Sequence, residues 1–337
     1  VVTGLFALAA RAARRHDRRR RRRHALAFRR RCLRLAREGE GAEAVRRAAA
    51  ALDERAFWGA VERLALVLAP RRRARLGAAL ARSAHLGRER RALAEDSPWR
   101  AELAARRLAL LPAAAHRPAL RRALRGASEL AAYAAALALG GARDRGALRW
   151  LLAHPRRFAR RDTRAWATLL RAFGRRGHSD LAAALERQVP DPRLERALVE
   201  VLGVAGFGAA APAIARRLRH AEPEVRVAAA RAVGRLDPAA HVAALIDTLE
   251  DPDWPVRAQT AWALGRARDP RAVLPLAVRL TDRAWWVRRH AAYALAAIGP
   301  QGIAALRHAL STSPDPYARD ISAEALDGGF PPRARAR

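Results

Sequence analysis

The C-terminal third of the chain repeats itself every 31 residues, and that period restricts its fold more than any other feature. Residues 222–236, 253–267, 284–298 and 315–329 align without gaps. A Val-Arg step recurs in them as Val225 with Arg226, Val256 with Arg257 and Val287 with Arg288, and becomes Ala318 with Arg319 in the last copy. The stretches between them, 239–251, 270–282 and 300–311, also carry helical spacing. Each unit therefore reads as two helices and two turns. A unit of this size buries one face only, so it needs neighbours stacked on it to complete a core. Gly234, Gly265 and Gly299 fall near the predicted helix ends, where glycine takes a left-handed backbone cheaply. Asp251 and Pro252 suit a turn that opens a helix.

Weaker copies precede these. Second helices are predicted over 96–111, 128–139, 162–173 and 192–202, with first helices over 117–125, 145–153 and 178–188. The spacing gives about eight helical pairs between roughly 71 and 328. Two more amphipathic helices are expected over 42–69, with Phe57, Trp58, Val61, Leu64 and Leu68 on one apolar stripe. The chain thus divides into an apolar and arginine-rich segment (1–37), capping helices (38–94), the repeats (95–330) and an exposed basic tail (331–337).

The arginine after valine lies six positions beyond an aspartate: Asp251 precedes Arg257, and Asp282 precedes Arg288. In this the sequence resembles the HEAT-repeat family in its short bacterial form, often labelled phycobilisome-lyase-type. His220 and Ser313 stand in place of that aspartate in the flanking units, where the pattern is incomplete. The resemblance implies an all-α, right-handed α-solenoid of stacked antiparallel helix pairs. It also implies a structural role for Arg226, Arg257, Arg288 and Arg319, paired with turn aspartates and neighbouring carbonyls. The run from Trp285 to Leu306, with the later PDPYARD, looks like bacterial HEAT proteins that carry an N-terminal membrane helix. That likeness implies a tethered adaptor serving a membrane-bound synthetic enzyme such as a glycosyltransferase.

Composition excludes several chemistries. All 66 basic residues are arginine, so no lysine can hold a nucleotide phosphate or form a Schiff base. Cys32 is the single cysteine and cannot form an internal disulfide or a multi-cysteine zinc site. No His-Glu-x-x-His pattern and no Gly-x-Ser-x-Gly elbow occurs. The glycine-rich 203–208 links two predicted helices, not a strand and a helix, and reads as a turn. No catalytic residue, metal, cofactor or small-molecule substrate is expected.

The formal net charge of +34 invites a nucleic-acid reading until it is divided along the chain. Residues 1–37 carry +13, residues 38–189 carry +16, residues 190–330 carry +2 and the last seven carry +3. The clearest repeats are thus nearly neutral. This argues against a basic DNA-binding groove, and against a likeness to HEAT-like alkylpurine DNA glycosylases built on Trp254, Trp262, Trp285 and Trp286 with Asp253 or Asp282. Residues 1–10 are apolar and precede the arginine run, the order of a stop-transfer segment under the positive-inside rule. The expectation is the tail of a membrane helix, with the rest of the chain on the cytoplasmic face; a basic helix start is the alternative.

The aromatics give the functional expectation. Trp262 and Tyr293 share one repeat position, as do Trp254 and Trp285, and Trp286 and Tyr317. On a helical wheel Val256, Thr260, Ala263 and Leu264 form the core face, and Trp262 lies roughly 150° away. Trp254 and Trp285 are expected to pack between repeats. Trp262, Tyr293 and Trp286, with Arg231, Arg289 and His290, are expected to line a concave surface that holds a protein partner.

Overall fold

The computed structural model describes residues 2–39 and 41–328. The expected tail at 331–337 lies outside the described residues, as does Val1. The described residues form helices joined by turns, without strands. They divide into two compact units. Among the described residues, one comprises those up to 151 with 172–174, and the other comprises 152–171 with those from 175 on.

In the first unit, a helix runs through Val2–Glu38. Its second half is amphipathic: Phe28, Cys32, Leu35 and Ala36 recur at helical spacing and are buried. Burial pushes the Cys32 thiol up to about 12. Among the described residues no helix is long and apolar enough to cross a membrane. The expected pair over 42–69 forms as Ala42–Ala50 and Glu54–Val67, with Phe57, Trp58, Val61, Leu64 and Leu68 buried. Phe57 is the hub of this core. Its ring meets Phe28 at 5.6 Å, Trp58 at 5.0 Å and the stacked His85 imidazole at 4.1 Å between centroids.

Two buried carboxylates complete the unit. Glu89 accepts from Arg107 (2.8 Å) and Arg100 (3.4 Å). Asp144 accepts both arms of Arg121 (3.0 and 2.8 Å) and caps the next helix through the Ala147 amide (3.0 Å). Burial alone would raise the Asp144 pKa; the Arg121 hydrogen bonds, the Ala147 amide and the Arg121 charge together hold it below the ordinary aspartate value.

In the second unit the 31-residue frame is exact in the helix starts. Second helices begin at Pro192, Pro223, Trp254, Trp285 and Pro316, as Pro192–Val204, Pro223–Leu236, Trp254–Ala267, Trp285–Ile298 and Pro316–Leu326. Most first helices are short and open from a 3-10 turn, as Val273–Val278 follows Pro270–Ala272.

Gly234 and Gly265 correct the sequence expectation. They lie inside their helices, and only Gly299 takes a positive φ, of 102°. Their role is close approach. A Cβ on Gly203 would sit 2.7 Å from Ala232 Cβ. One on Gly234 would sit 2.9 Å from Ala263 Cβ, and one on Gly265 would sit 2.8 Å from Ala294 Cα. Glycine on one second helix and alanine on the next, each recurring every 31 residues, form a seam along which the helices touch backbone to backbone. The alanines that face these glycines, Ala232, Ala263 and Ala294, are all buried.

Candidate functional site

The arginine ladder lies along one edge of the second unit. Arg226 donates Nε and Nη2 to the Asp251 carboxylate (2.7 and 3.0 Å), Nη2 also to Asp253 (2.7 Å), and Nη1 to the His220 and Ala221 carbonyls (both 2.8 Å). Arg257 repeats this with the Asp282 carboxylate (2.8 and 2.9 Å) and the Asp251 and Pro252 carbonyls (2.8 and 3.0 Å). Each guanidinium therefore binds the backbone of its own turn and the carboxylate of the next repeat, 25 positions on. The aspartate six positions earlier offers its carbonyl, not its carboxylate. Burial works to raise the Asp282 pKa, but the Arg257 bonds and the Ala284 amide outweigh it and lower the pKa.

The ladder changes at both ends. Arg288 reaches the Asp282 and Arg283 carbonyls (2.8 and 3.3 Å), but its next-repeat partner is Ser313, and its guanidinium stacks instead over the Tyr317 ring at 5.0 Å. Arg319 holds the Ser313 and Pro314 carbonyls (2.8 and 3.3 Å). One repeat upstream, Glu195 occupies the arginine position and His220 the aspartate position, and they meet at 3.1 Å. The pair is the ladder with its polarity exchanged. Arg217 completes it with a 2.7 Å bond to Glu195. Glu195 stands where the next copy has Arg226, a signal present in the sequence but hidden by the weaker alignment there.

The expected partner-binding residues divide into two groups. Arg289, His290, Tyr293 and Trp286 come together on the Trp285–Ile298 helix. Arg289 lies 5.0 Å from the Trp285 centroid and 5.2 Å from that of Tyr293, and reaches Glu324 at 3.2 Å. The Tyr293 hydroxyl donates to Glu324 (2.5 Å). Burial first, and the Glu324 bond second, raise its pKa to about 12. His290 donates Nδ1–H to the Ala258 carbonyl of the preceding helix (2.7 Å), and burial lowers its pKa, which keeps it neutral. The Trp286 ring stands 6.0 Å from His290 and edge-on to Trp285 at 4.7 Å. Sequence reasoning missed Glu324, although it repeats the position of Trp262 and Tyr293 at the same interval of 31.

Trp262 and Arg231 sit apart from that cluster. Trp262 leans on the preceding helix, where its Cζ3 would lie 2.6 Å from a Gly234 Cβ. Arg266 stacks over it at 5.5 Å while bonding the Gly234 carbonyl at 2.6 Å. Arg231 is exposed and donates to Gln259 (3.2 Å). Trp254 and Trp285, expected between repeats, are 46% and 44% exposed. Trp286 and Tyr317 are 50% and 64% exposed. The two expectations thus exchange places: Trp262 packs laterally because Gly234 leaves room for it, and the aromatics of the first helical turn face solvent.

Residues 242–327 match the family model described as HEAT repeats. No curated protein matches the chain. Among solved structures, Kap121p bound to RanGTP is similar, with a TM-score of 0.51 at 14% identity over 90% of this chain. The chain spans 41% of that Kap121p. YibA of E. coli aligns at 17% identity over 72% of this chain and 92% of its own, with a TM-score of 0.46. Human deoxyhypusine hydroxylase aligns at 18% identity over 85% and 94%, with a TM-score of 0.31. Residues 242–327 therefore belong to the HEAT-repeat family, and the helix pairs before them share its α-solenoid architecture.

Proposed function

We propose that this chain is a non-catalytic scaffold that binds a protein partner through its C-terminal repeats. One observation carries the reading: large aromatics of the first helical turn are left half in solvent at repeating positions, with guanidinium groups stacked among them. A monomeric surface gains nothing by exposing Trp285, Trp286 and Tyr317 together. Aromatic and arginine side chains are the residue types that dominate binding energy when a partner removes them from water. The contact centres on Trp286, Arg289, His290 and Tyr293. Arg231 extends it along a preceding helix, Trp262 packs between the helices beneath it, and the ladder residues Arg226, Asp251, Arg257, Asp282, Arg288 and Arg319 hold the repeats in register behind it. Kap121p, which shares the fold, has structures bound to RanGTP and to Ste12p.

In this reading the arginine run that follows the apolar residues 1–10 sets the scaffold against the cytoplasmic face of a membrane, beside a membrane-bound enzyme. A photo-crosslinking residue placed at Trp286 tests the contact. The reading expects one protein adduct in the membrane fraction that a probe at exposed Arg307 does not give. Identical adducts from both positions, or an adduct with nucleic acid, overturn it.

A further inference from the structure

One cavity of the first unit gathers cations without a counter-ion. Its volume is about 340 Å³, and its lining includes Arg71, Arg73, Arg117 and Arg143. Every other lining residue is alanine, glycine or proline. Elsewhere in this unit a buried carboxylate takes an arginine, as Glu89 takes Arg107 and Asp144 takes Arg121. Here no aspartate or glutamate lines the space among the described residues.

Three further features converge on it. Arg73 Nε is buried without a hydrogen-bond acceptor, a donor left unsatisfied by the protein itself. Arg117 is held by a backbone acceptor, the Ala142 carbonyl at 3.1 Å. Arg143 takes a φ of 54° just beyond the Glu129–Gly141 helix, a left-handed position where glycine is the unstrained choice. Its amide closes the helix onto Gly140 (2.8 Å), and the strained backbone carries an arginine to the cavity. The Pro70–Leu80 and Arg117–Arg125 helices also open with arginine and no acid in the first turn, the reverse of what the helix dipole favours. A bound anion would supply the acceptor that Arg73 Nε lacks and the negative charge that both helix starts favour.

We propose that this cavity binds a phosphate-bearing anion, free or carried on a lipid headgroup, with Arg71, Arg73, Arg117 and Arg143 as its donors. Guanidinium groups match a phosphate's several acceptor oxygens and paired geometry. The lining holds no aromatic side chain, so recognition rests on the phosphate and not on a base or ring.

The test titrates the full chain with inorganic phosphate and with pyrophosphate by calorimetry, and floats it with phosphatidylcholine vesicles with and without phosphatidic acid. Arg71 and Arg143 are exposed, so R71Q/R143Q leaves the core intact. R283Q/R307Q, at exposed positions of the other unit, removes the same charge. The proposal expects saturable binding that weakens roughly tenfold in R71Q/R143Q and stays unchanged in the control. It also expects slowed amide exchange over 70–78 and 112–119 of the unmodified chain with whichever of pyrophosphate or phosphatidic acid vesicles binds. Binding of the soluble anions alone assigns a free ligand, and binding only to phosphatidic acid vesicles assigns the headgroup. The proposal is overturned by absence of saturable binding in every arm, by unaltered exchange, or by equal loss in the control, which marks diffuse attraction of the kind a nucleic acid shows.

Discussion

The first unit and the C-terminal repeats both have to cover helix pairs that are apolar on one side, and they use different side chains to do it. The first unit fills its core with aromatics: Phe28, Phe57 and Trp58 are buried, with His85 stacked among them. The C-terminal repeats close theirs with a seam of glycine and alanine and fasten the edge with arginine and aspartate. Helices that meet backbone to backbone leave little room for large rings. The tryptophans of the repeats accordingly lie across the seam, as Trp262 does, or outside it, as Trp286 does. Phe57 and Trp58 are therefore core in one region, while Trp285, Trp286 and Tyr317 are surface in the other.

Breaking the ladder carries the largest expected effect. Asp282 is almost wholly shielded from water and Arg257 largely so, and Asp282→Ala leaves the guanidinium only the carbonyls of its own turn, at a cost of about 3 kcal/mol. The loss appears as a lower midpoint in urea unfolding. The same pair sets an acid limit. Because the folded pKa of Asp282 is depressed, its contribution is complete above the ordinary aspartate value of 3.8 and fades as pH falls from there through the folded value. Asp282→Asn should flatten the acid limb of the stability profile in that window, and an unchanged limb would show that the pair carries no linkage.

Closing the seam comes next. Gly265→Ala puts a methyl group 2.8 Å from the Ala294 backbone and should cost about 2 kcal/mol. Gly208→Ala, where a methyl meets open space, should cost less than about 0.5 kcal/mol in the same melts. Equal losses at the two positions would remove the seam from the account.

A smaller effect sharpens the ladder itself. Glu195→Arg sets a second guanidinium beside Arg217 and takes from His220 its carboxylate partner, and should destabilise by about 1 kcal/mol or more. Adding His220→Asp restores the polarity of the next repeat, so a double-mutant cycle should return part of the loss as a coupling energy of about 1 kcal/mol. Additive losses would mean that Glu195 and His220 do not belong to the ladder.

The sequence made the helices legible because their apolar spacing is regular. The expected helices at 117–125 and 145–153 form as Arg117–Arg125 and Arg145–Ala153. Partners across repeats were harder to read. A motif of Asp and Arg six apart suggests a local pair, whereas the guanidinium passes the carboxylate of its own turn, takes that turn's carbonyls and reaches forward 25 residues. Gly234 resembled a helix end by position, and only the neighbouring Ala263 shows that it is a contact. The wheel that set Trp262 away from the core face was sound about a single helix. It carried no information about the second helices packed on either side.

The claim that the first-turn aromatics serve a partner and not the fold meets its most direct test in W286A/Y317A, with melting temperature and partner affinity measured on the same preparation. The account predicts stability within about 0.5 kcal/mol of the unmodified chain, as for exposed positions, together with a loss of partner affinity of roughly tenfold or more. A large fall in melting temperature with affinity retained would contradict it, and would return these side chains to the packing between repeats.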